Sequence, residues 1–240
     1  MNKTKLKTSL FIVSSFLIPA IMMFFIYFSQ GIYWNSDTSP LLGDGYHQYV
    51  IFDTTLRNIL HGTDSLFYSF QSGLGINFYA LSSYYLGSFF SPLVYFFNAQ
   101  SMPDAVYLIT LLKFGAIGLS TYISLHGMFS KIPRSLFLTL STSFALMSFA
   151  ISQIEIKTWL DVFILAPLIL YGFKKLIYTE GEILYFISLT SLFIQNYYFG
   201  FMMSIFLILW YLTQLSWDIK GIGKRFFHFV IVSLLSVITS

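Results

Sequence analysis

Long apolar runs alternate along the chain with short basic breaks and aromatic-rich polar ones. The first run, 9–28, follows Lys3, Lys5 and Lys7 and covers about 20 residues. A helix of that length, rising about 1.5 Å per residue, crosses the roughly 30 Å hydrocarbon core of a bilayer. The run exceeds the roughly 7–15 apolar residues of a secretory leader, and no small-x-small cleavage site follows it. It therefore predicts a retained transmembrane helix. The next stretch, 31–104, mixes turn residues, aromatics, His47, His61 and aspartates. Within it, 86–97 is apolar but too short to span and carries Pro92, which predicts an interfacial or re-entrant segment. Runs 105–125, 135–151 and 159–173 predict further spans. The run 183–215 would make a single helix of about 50 Å, far longer than the core. A polar break at Gln195-Asn196-Tyr197-Tyr198 predicts two short helices there instead. A last span begins near Phe226 and is still apolar at Ser240.

This pattern predicts an all-α fold: a polytopic transmembrane helix bundle of about seven spans. Residues 1–240 form a single transmembrane domain, with 31–104 as a large first extracytoplasmic loop carrying interfacial helices. Because the chain stops inside an apolar run, it is expected to be the N-terminal part of a longer protein.

Composition strengthens the membrane assignment. Hydrophobic residues make up 56%, charged residues only 10%, and the mean hydropathy is +0.73, whereas a soluble domain carries about 25% charged residues. Lipid is the partner this surface demands. A net charge of +3 gives no reason to expect nucleic acid, and the absence of cysteine excludes disulfides and thiolate metal sites. The positions of the 13 basic residues fix an orientation by the positive-inside rule. With the N-terminus cytoplasmic, ten of the 13 lie in inner segments, Arg57 and Lys157 lie outside, and Lys113 lies within a span. The expected location is thus the cell membrane, multi-pass, with the N-terminus inside.

The acidic residues run the other way. Asp37, Asp44, Asp53, Asp64, Asp104, Glu155 and Asp161 fall outside or at outer helix ends, and only Glu180, Glu182 and Asp218 fall inside. In Gly43-Asp44-Gly45-Tyr46-His47 an aspartate sits on flexible backbone with a histidine three residues on. Such a pair can do general-base work or bind a metal. Equally, Asp44 can cap a helix over 46–60, and Asp37, after Asn35-Ser36, fits a cap as well. Asp161 lies a short way into the fourth span, where an unpaired carboxylate costs several kcal/mol. Lys113 lies at similar depth, which predicts a Lys113–Asp161 pair, either a structural tie between helices or part of an anion site. Asn196, Tyr197 and Tyr198 mark the break between two short spans, a place where transporter-like substrate sites occur and where interfacial tyrosines also gather. The aromatics of 67–78 could stack on sugars or rest on lipid head groups. No Walker, GxGxxG or HExxH motif is present, no metal site is assigned, and the residues name no cofactor.

Taken together, Ser36-Asp37, Gly43-Asp44-Gly45-Tyr46-His47-Gln48-Tyr49 and Phe67-Tyr68-Ser69-Phe70-Gln71-Ser72-Gly73-Leu74-Gly75-Ile76-Asn77-Phe78 resemble the YfhO family of bacterial membrane proteins. Tyr84-Tyr85-Leu86, Trp159-Leu160-Asp161, Pro167-Leu168 and Asn196-Tyr197-Tyr198-Phe199-Gly200 extend the resemblance in the family's order over about 9–215. Family members are several times longer, so the likeness is to their N-terminal portion. The resemblance implies a GT-C type glycosyltransferase-like fold that uses undecaprenyl-phosphate-linked sugar at the outer face. The implied acceptor is a surface glycopolymer such as teichoic acid. It also implies an aspartate base in the first outer loop, which is Asp44 here, with Asp37 as second choice. Lys113, with Arg57 or His47, would then hold the carrier phosphate, and Asp161, Asn196, Tyr197 and Tyr198 would border the substrate. Two other functions stay open on the residues alone: a transporter or flippase for the lipid-linked sugar, and a non-catalytic membrane assembly partner.

Overall fold

The structure, a computed structural model, describes residues 3–129, 131–179, 181–214 and 222–240. Glu180, Asp218 and Lys220, which enter the charge partition, lie outside the described residues. Among the described residues the fold is all-helical, without a strand. The first apolar run forms α1 (Lys3–Ser29). Two helices follow in the long loop, α2 (Val50–Leu60) and α3 (Phe78–Tyr85). The bundle continues with α4 (Met102–Met128), α5 (Arg134–Ala145), α6 (Ser148–Ser152) and α7 (Lys157–Thr179). It ends with α8 (Ile183–Gln195), α9 (Tyr197–Gln214) and α10 (Ile222–Ile238). The break expected in the long run falls where the polar residues lie: α8 stops at Gln195 and α9 starts at Tyr197, with the Asn196 side chain accepting from Phe199 N at 3.1 Å. The run expected at 135–151 is interrupted as well, because Met147 is extended (φ −61°, ψ 146°) between α5 and α6.

By length and composition three helical stretches among the described residues can cross a membrane: 7–29, 99–128 and 134–152. Helix α7 is 23 residues long but carries Lys157, Asp161, Lys174 and Lys175, while 183–195, 197–213 and 225–238 are shorter apolar helices. Two cores lie side by side. One joins α1, α4 and the 145–160 segment around Met23, Phe114, Ile117, Ala145 and Leu160. The other joins α7 to α10 around Ile169, Phe173, Tyr185, Leu207, Tyr211 and Phe229. Large apolar side chains such as Leu10 and Phe25 on α1 and Phe201 and Leu209 on α9 point outward, the arrangement expected of helices whose outer faces meet lipid.

Close crossings use glycine. At Gly118 a Cβ would run into the carbonyl of Ser15 and the ring of Pro19. Pro19 has no N–H with which to bond the Ser15 carbonyl four residues back. The freed oxygen and the bare Gly118 backbone let α1 and α4 approach, as small residues do at helix contacts in membranes. At Gly172 a Cβ would lie 2.6 Å from Tyr185 N, which brings α7 equally close to α8.

The loop between α1 and α4 covers one end of the bundle. A single π-helical turn, Gly45–Tyr49, runs directly into α2. Asn77 caps α3 through Tyr79 N (3.0 Å). The 86–97 segment, expected at the interface, forms the 3₁₀ turn Ser91–Phe96, buried through Val94 against Met102, Ala105 and Ile109 of the α4 region. A second small core of Phe52, Phe78 and Leu86 joins α2 to α3.

Candidate functional site

Two buried ion pairs hold this loop to the bundle. Lys113 Nζ on α4 donates to Asp161 Oδ2 on α7 at 2.6 Å, and both side chains are almost wholly buried. The pair expected from the sequence is therefore present. Lys113 also donates to the backbone oxygen of Lys157 at 2.8 Å, and its ammonium lies 5.9 Å from the centre of the Phe90 ring. The other carboxylate oxygen of Asp161 accepts from Ser88 Oγ at 2.9 Å, which ties in the loop. Beside it, Lys157 pairs with Asp53 of α2, again with both groups buried. This second pair bridges 104 positions of sequence and is not visible in any local pattern. Two lysines and two aspartates thus form a neutral quartet in which each charge has an opposite partner. Desolvation of such charges is tolerated only when pairing and hydrogen bonding are complete, and here both lysines and Asp161 make further contacts.

Above the quartet stands Tyr49. Its hydroxyl shares a 3.1 Å hydrogen bond with Thr158 Oγ1, and Lys157 Nζ lies 5.5 Å from its ring centre. Burial pushes its phenol above the ordinary value; the Thr158 hydrogen bond opposes this, and Tyr84, Tyr85 and Asp44 add to it. Burial also raises Tyr85, with Tyr84 and the Asp44 charge contributing. Both phenols are thereby kept protonated and are donors rather than bases. Tyr49 closes the π turn that Asp44 precedes, and Tyr85 meets its ring edge-on at 5.4 Å.

Asp44 is exposed and stands just before the π turn, yet its side chain caps nothing. It accepts instead from Gln48 Nε2 at 3.1 Å. The capping alternative for Asp44 is therefore not the arrangement found. A Cβ at Gly43, which stands at φ +45°, would meet the end of the Glu155 carboxylate and push that side chain aside. Glycine takes that positive φ without the steric cost a Cβ brings. Glu155 reaches the Asp44 turn from the segment between α6 and α7, and it also borders a cavity of about 190 Å³ whose walls include Met23, Ile26, Leu42, Ile151 and Ile154. Its nearness to the Asp44 turn could not be read from sequence, where it stands 111 residues further along.

The other predicted residues are spread around this centre. His47 is exposed and meets the Tyr46 ring edge-on at 5.3 Å; it makes no hydrogen bond to Asp44 among the described contacts. Arg57 is engaged with loop structure, donating from Nε to Phe97 O at 2.9 Å and from Nη1 to Asn58 Oδ1 at 3.0 Å. Asp37 is exposed in a bend after Asn35, whose N–H bonds Asp104 Oδ1 at 2.8 Å. Tyr197 and Tyr198 are exposed at the start of α9. That turn belongs to the same end of the molecule: a Cβ at Gly87 would lie 2.9 Å from Gln195 Cα, and Trp159 meets Phe199 edge-on at 5.3 Å. Lys113 is fully enclosed by its partners and does not face the Asp44 surface. Among the described residues no group of three or more His, Asp or Glu is placed to hold a metal ion.

A model of the family described as "Bacterial membrane protein YfhO" matches residues 14–240. The chain belongs to the YfhO family. No curated protein and no solved structure matches it. The YfhO match takes in the whole loop, the quartet and the α8–α9 turn, so the family assignment covers every residue of the site. It makes the chain a bacterial membrane protein, in agreement with its apolar, outward-facing helices.

Proposed function

We propose that this YfhO protein is a membrane glycosyltransferase of the GT-C kind. It moves a sugar from a polyprenyl-phosphate carrier to a cell-surface glycopolymer, such as teichoic acid, on the outer face. The observation that carries this is Asp44: an exposed carboxylate on a glycine-flanked turn, uncommitted to capping, beside Glu155 and two protonated tyrosines. The arrangement suits one displacement. An acceptor hydroxyl gives its proton to Asp44 as its oxygen bonds to the anomeric carbon of the sugar. The carbon–oxygen bond to the carrier phosphate breaks, and its electron pair leaves with the polyprenyl phosphate. General-base help of this sort contributes about 10²–10⁴-fold. Tyr49, buried and bonded to Thr158, holds the turn in place, half-buried Tyr85 supplies a hydroxyl beside it, and exposed His47 on the same turn offers a ring nitrogen to the departing phosphate. The apolar cavity beside Glu155 is suited to the first isoprene units of the carrier. Lys113 and Asp161, buried and paired, position the loop and do not touch the phosphate. The seven-span arrangement with a cytoplasmic N-terminus belongs to the same proposal, since it puts this end of the bundle outside.

The test is Asp44→Asn in the complete protein, with sugar incorporation into the glycopolymer normalised to membrane protein level. Loss of transfer at normal abundance is the expected result. Near-normal transfer in that variant overturns the role of Asp44. Unchanged glycosylation accompanied by altered carrier orientation would mark the protein as a flippase.

A further inference from the structure

At the far end of α2 from Asp44 the loop folds into a second concave site. The chain turns at Gly62 (φ +75°), and 69–76 forms a tight hairpin closed by paired backbone hydrogen bonds of 2.9 Å between Ser69 and Ile76. Between turn and hairpin lies a cleft of about 480 Å³, within the roughly 300–1,000 Å³ of ordinary ligand pockets. Its lining combines two chemistries. Tyr68 and Phe70 present exposed rings at right angles, 5.0 Å apart (87° between planes). Asp64, Gln71, Thr63 and Ser65 supply a carboxylate, an amide and hydroxyls.

The polar groups are held in place from behind. Asp64 Oδ2 accepts from Asn58 Nδ2 at 3.2 Å, and Asn58 in turn accepts from Arg57 at 3.0 Å. Thr63 donates to Asn58 O at 3.0 Å, and the Ser65 and Ser69 hydroxyls accept from Phe67 N and Gln71 N at 3.2 Å each. Asp64 Oδ1 and the Gln71 side-chain amide are used in no described hydrogen bond. The cleft is therefore preformed, with planar polar groups free to act.

We infer that this cleft binds neutral saccharide. A pyranose has C–H faces that lie against aromatic rings and a rim of hydroxyls. Ring faces favour the first, and a carboxylate and an amide accept from and donate to the second with charge-assisted strength. The charged residue lining the cleft is the carboxylate Asp64, so the phosphate units of a glycopolymer are repelled there and its uncharged sugar units are not. The 11 residues of α2 separate the cleft from the Asp44 turn by about 16 Å at 1.5 Å per residue. One sugar cannot bridge that distance, but an extended glycan can. The acceptor glycopolymer is thus gripped in the cleft by its neutral sugar units while a hydroxyl further along meets Asp44. This acceptor role rests on the proposed transfer reaction; saccharide binding does not.

The experiment is saturation-transfer NMR on the chain in lipid nanodiscs, with maltohexaose and chitohexaose as neutral probes and poly(glycerol phosphate) as the anionic one. The expected result is transfer to ring C–H protons of at least one neutral oligosaccharide and none to the polyphosphate. Tyr68→Ala and Phe70→Ala should abolish the signal, and Asp64→Asn should weaken binding about tenfold. Binding of neither neutral probe, or binding indifferent to Tyr68→Ala and Phe70→Ala, overturns the cleft. A variant pattern as expected in binding, together with no transfer activity in the complete protein, leaves the cleft standing and removes the glycosyltransferase.

Discussion

Single residues divide into those that act and those that hold. Asp44 is exposed on its turn, so Asp44→Asn should leave abundance and thermal stability near normal while transfer fails. Asp37→Asn, changed in an exposed bend, should have a milder effect on both readouts. Lys157 behaves differently because it is buried against Asp53. Replacing it with Met strands a carboxylate in a low-dielectric site, a loss of about 3–5 kcal/mol for a broken buried pair. Melting in detergent should show the fall, and adding Asp53→Asn should return much of it. Equal melting of Lys157→Met and the parent would show that Asp53 finds water when unpaired. The Lys113–Asp161 half of the quartet was legible in the sequence, because each charge interrupts an otherwise apolar run at matching depth. The Asp53–Lys157 half was not. Both residues sit in mixed segments with polar neighbours, where a charge needs no special explanation, and nothing local records a contact across so much chain. Glu155 escaped for the same reason, since its importance lies in the glycine turn that packs on it.

Among the elements, the glycines decide how near the helices come. Gly118→Ala should cost about 1–3 kcal/mol by overpacking, because its neighbour is the Ser15 carbonyl, which cannot rotate away as a side chain can. Gly115, which faces the Phe16 ring, should tolerate alanine better. Comparing the melting of the two variants separates backbone from side-chain crowding; equal losses would mean that α1 shifts as a unit. Element boundaries were readable wherever composition changes sharply. The α8–α9 break shows as Gln195-Asn196 inside an apolar run. The α5–α6 interruption carries no such sign, since Leu146 and Met147 look like any other helix residues, and only the extended backbone at Met147 reveals it. The Ser91–Phe96 turn was recognised as too short to span, but its burial against α4 depends on tertiary contacts that period and hydropathy do not encode.

For the whole molecule, the distribution of lysine and arginine gives an orientation that can be tested directly. Single cysteines in this cysteine-free chain should react with an impermeant maleimide added outside whole cells at position 64 and stay unreactive at position 178. The opposite pattern would invert the bundle and place Asp44 in the cytoplasm, where a nucleotide-linked sugar, not a lipid-linked one, would be the accessible donor. Three stretches are long and apolar enough to cross by themselves. The remaining helices are short or carry charge, so their insertion depends on neighbours, and that is why hydropathy alone undercounts the elements that pack together here.

The Asp53–Lys157 contact also sets an order in time. The aspartate leaves the ribosome 104 residues before its lysine, a gap of about 5–20 s at synthesis rates of 5–20 residues per second. During that interval Asp53 lacks the lysine it pairs with in the fold, so this part of the loop stays solvated and open to proteases until α7 arrives. Nascent chains stalled short of residue 157 should be clipped between α1 and α4 by added protease, and chains stalled well beyond α7 should resist. A buried fastening of the loop is thus delivered by a helix made long after it.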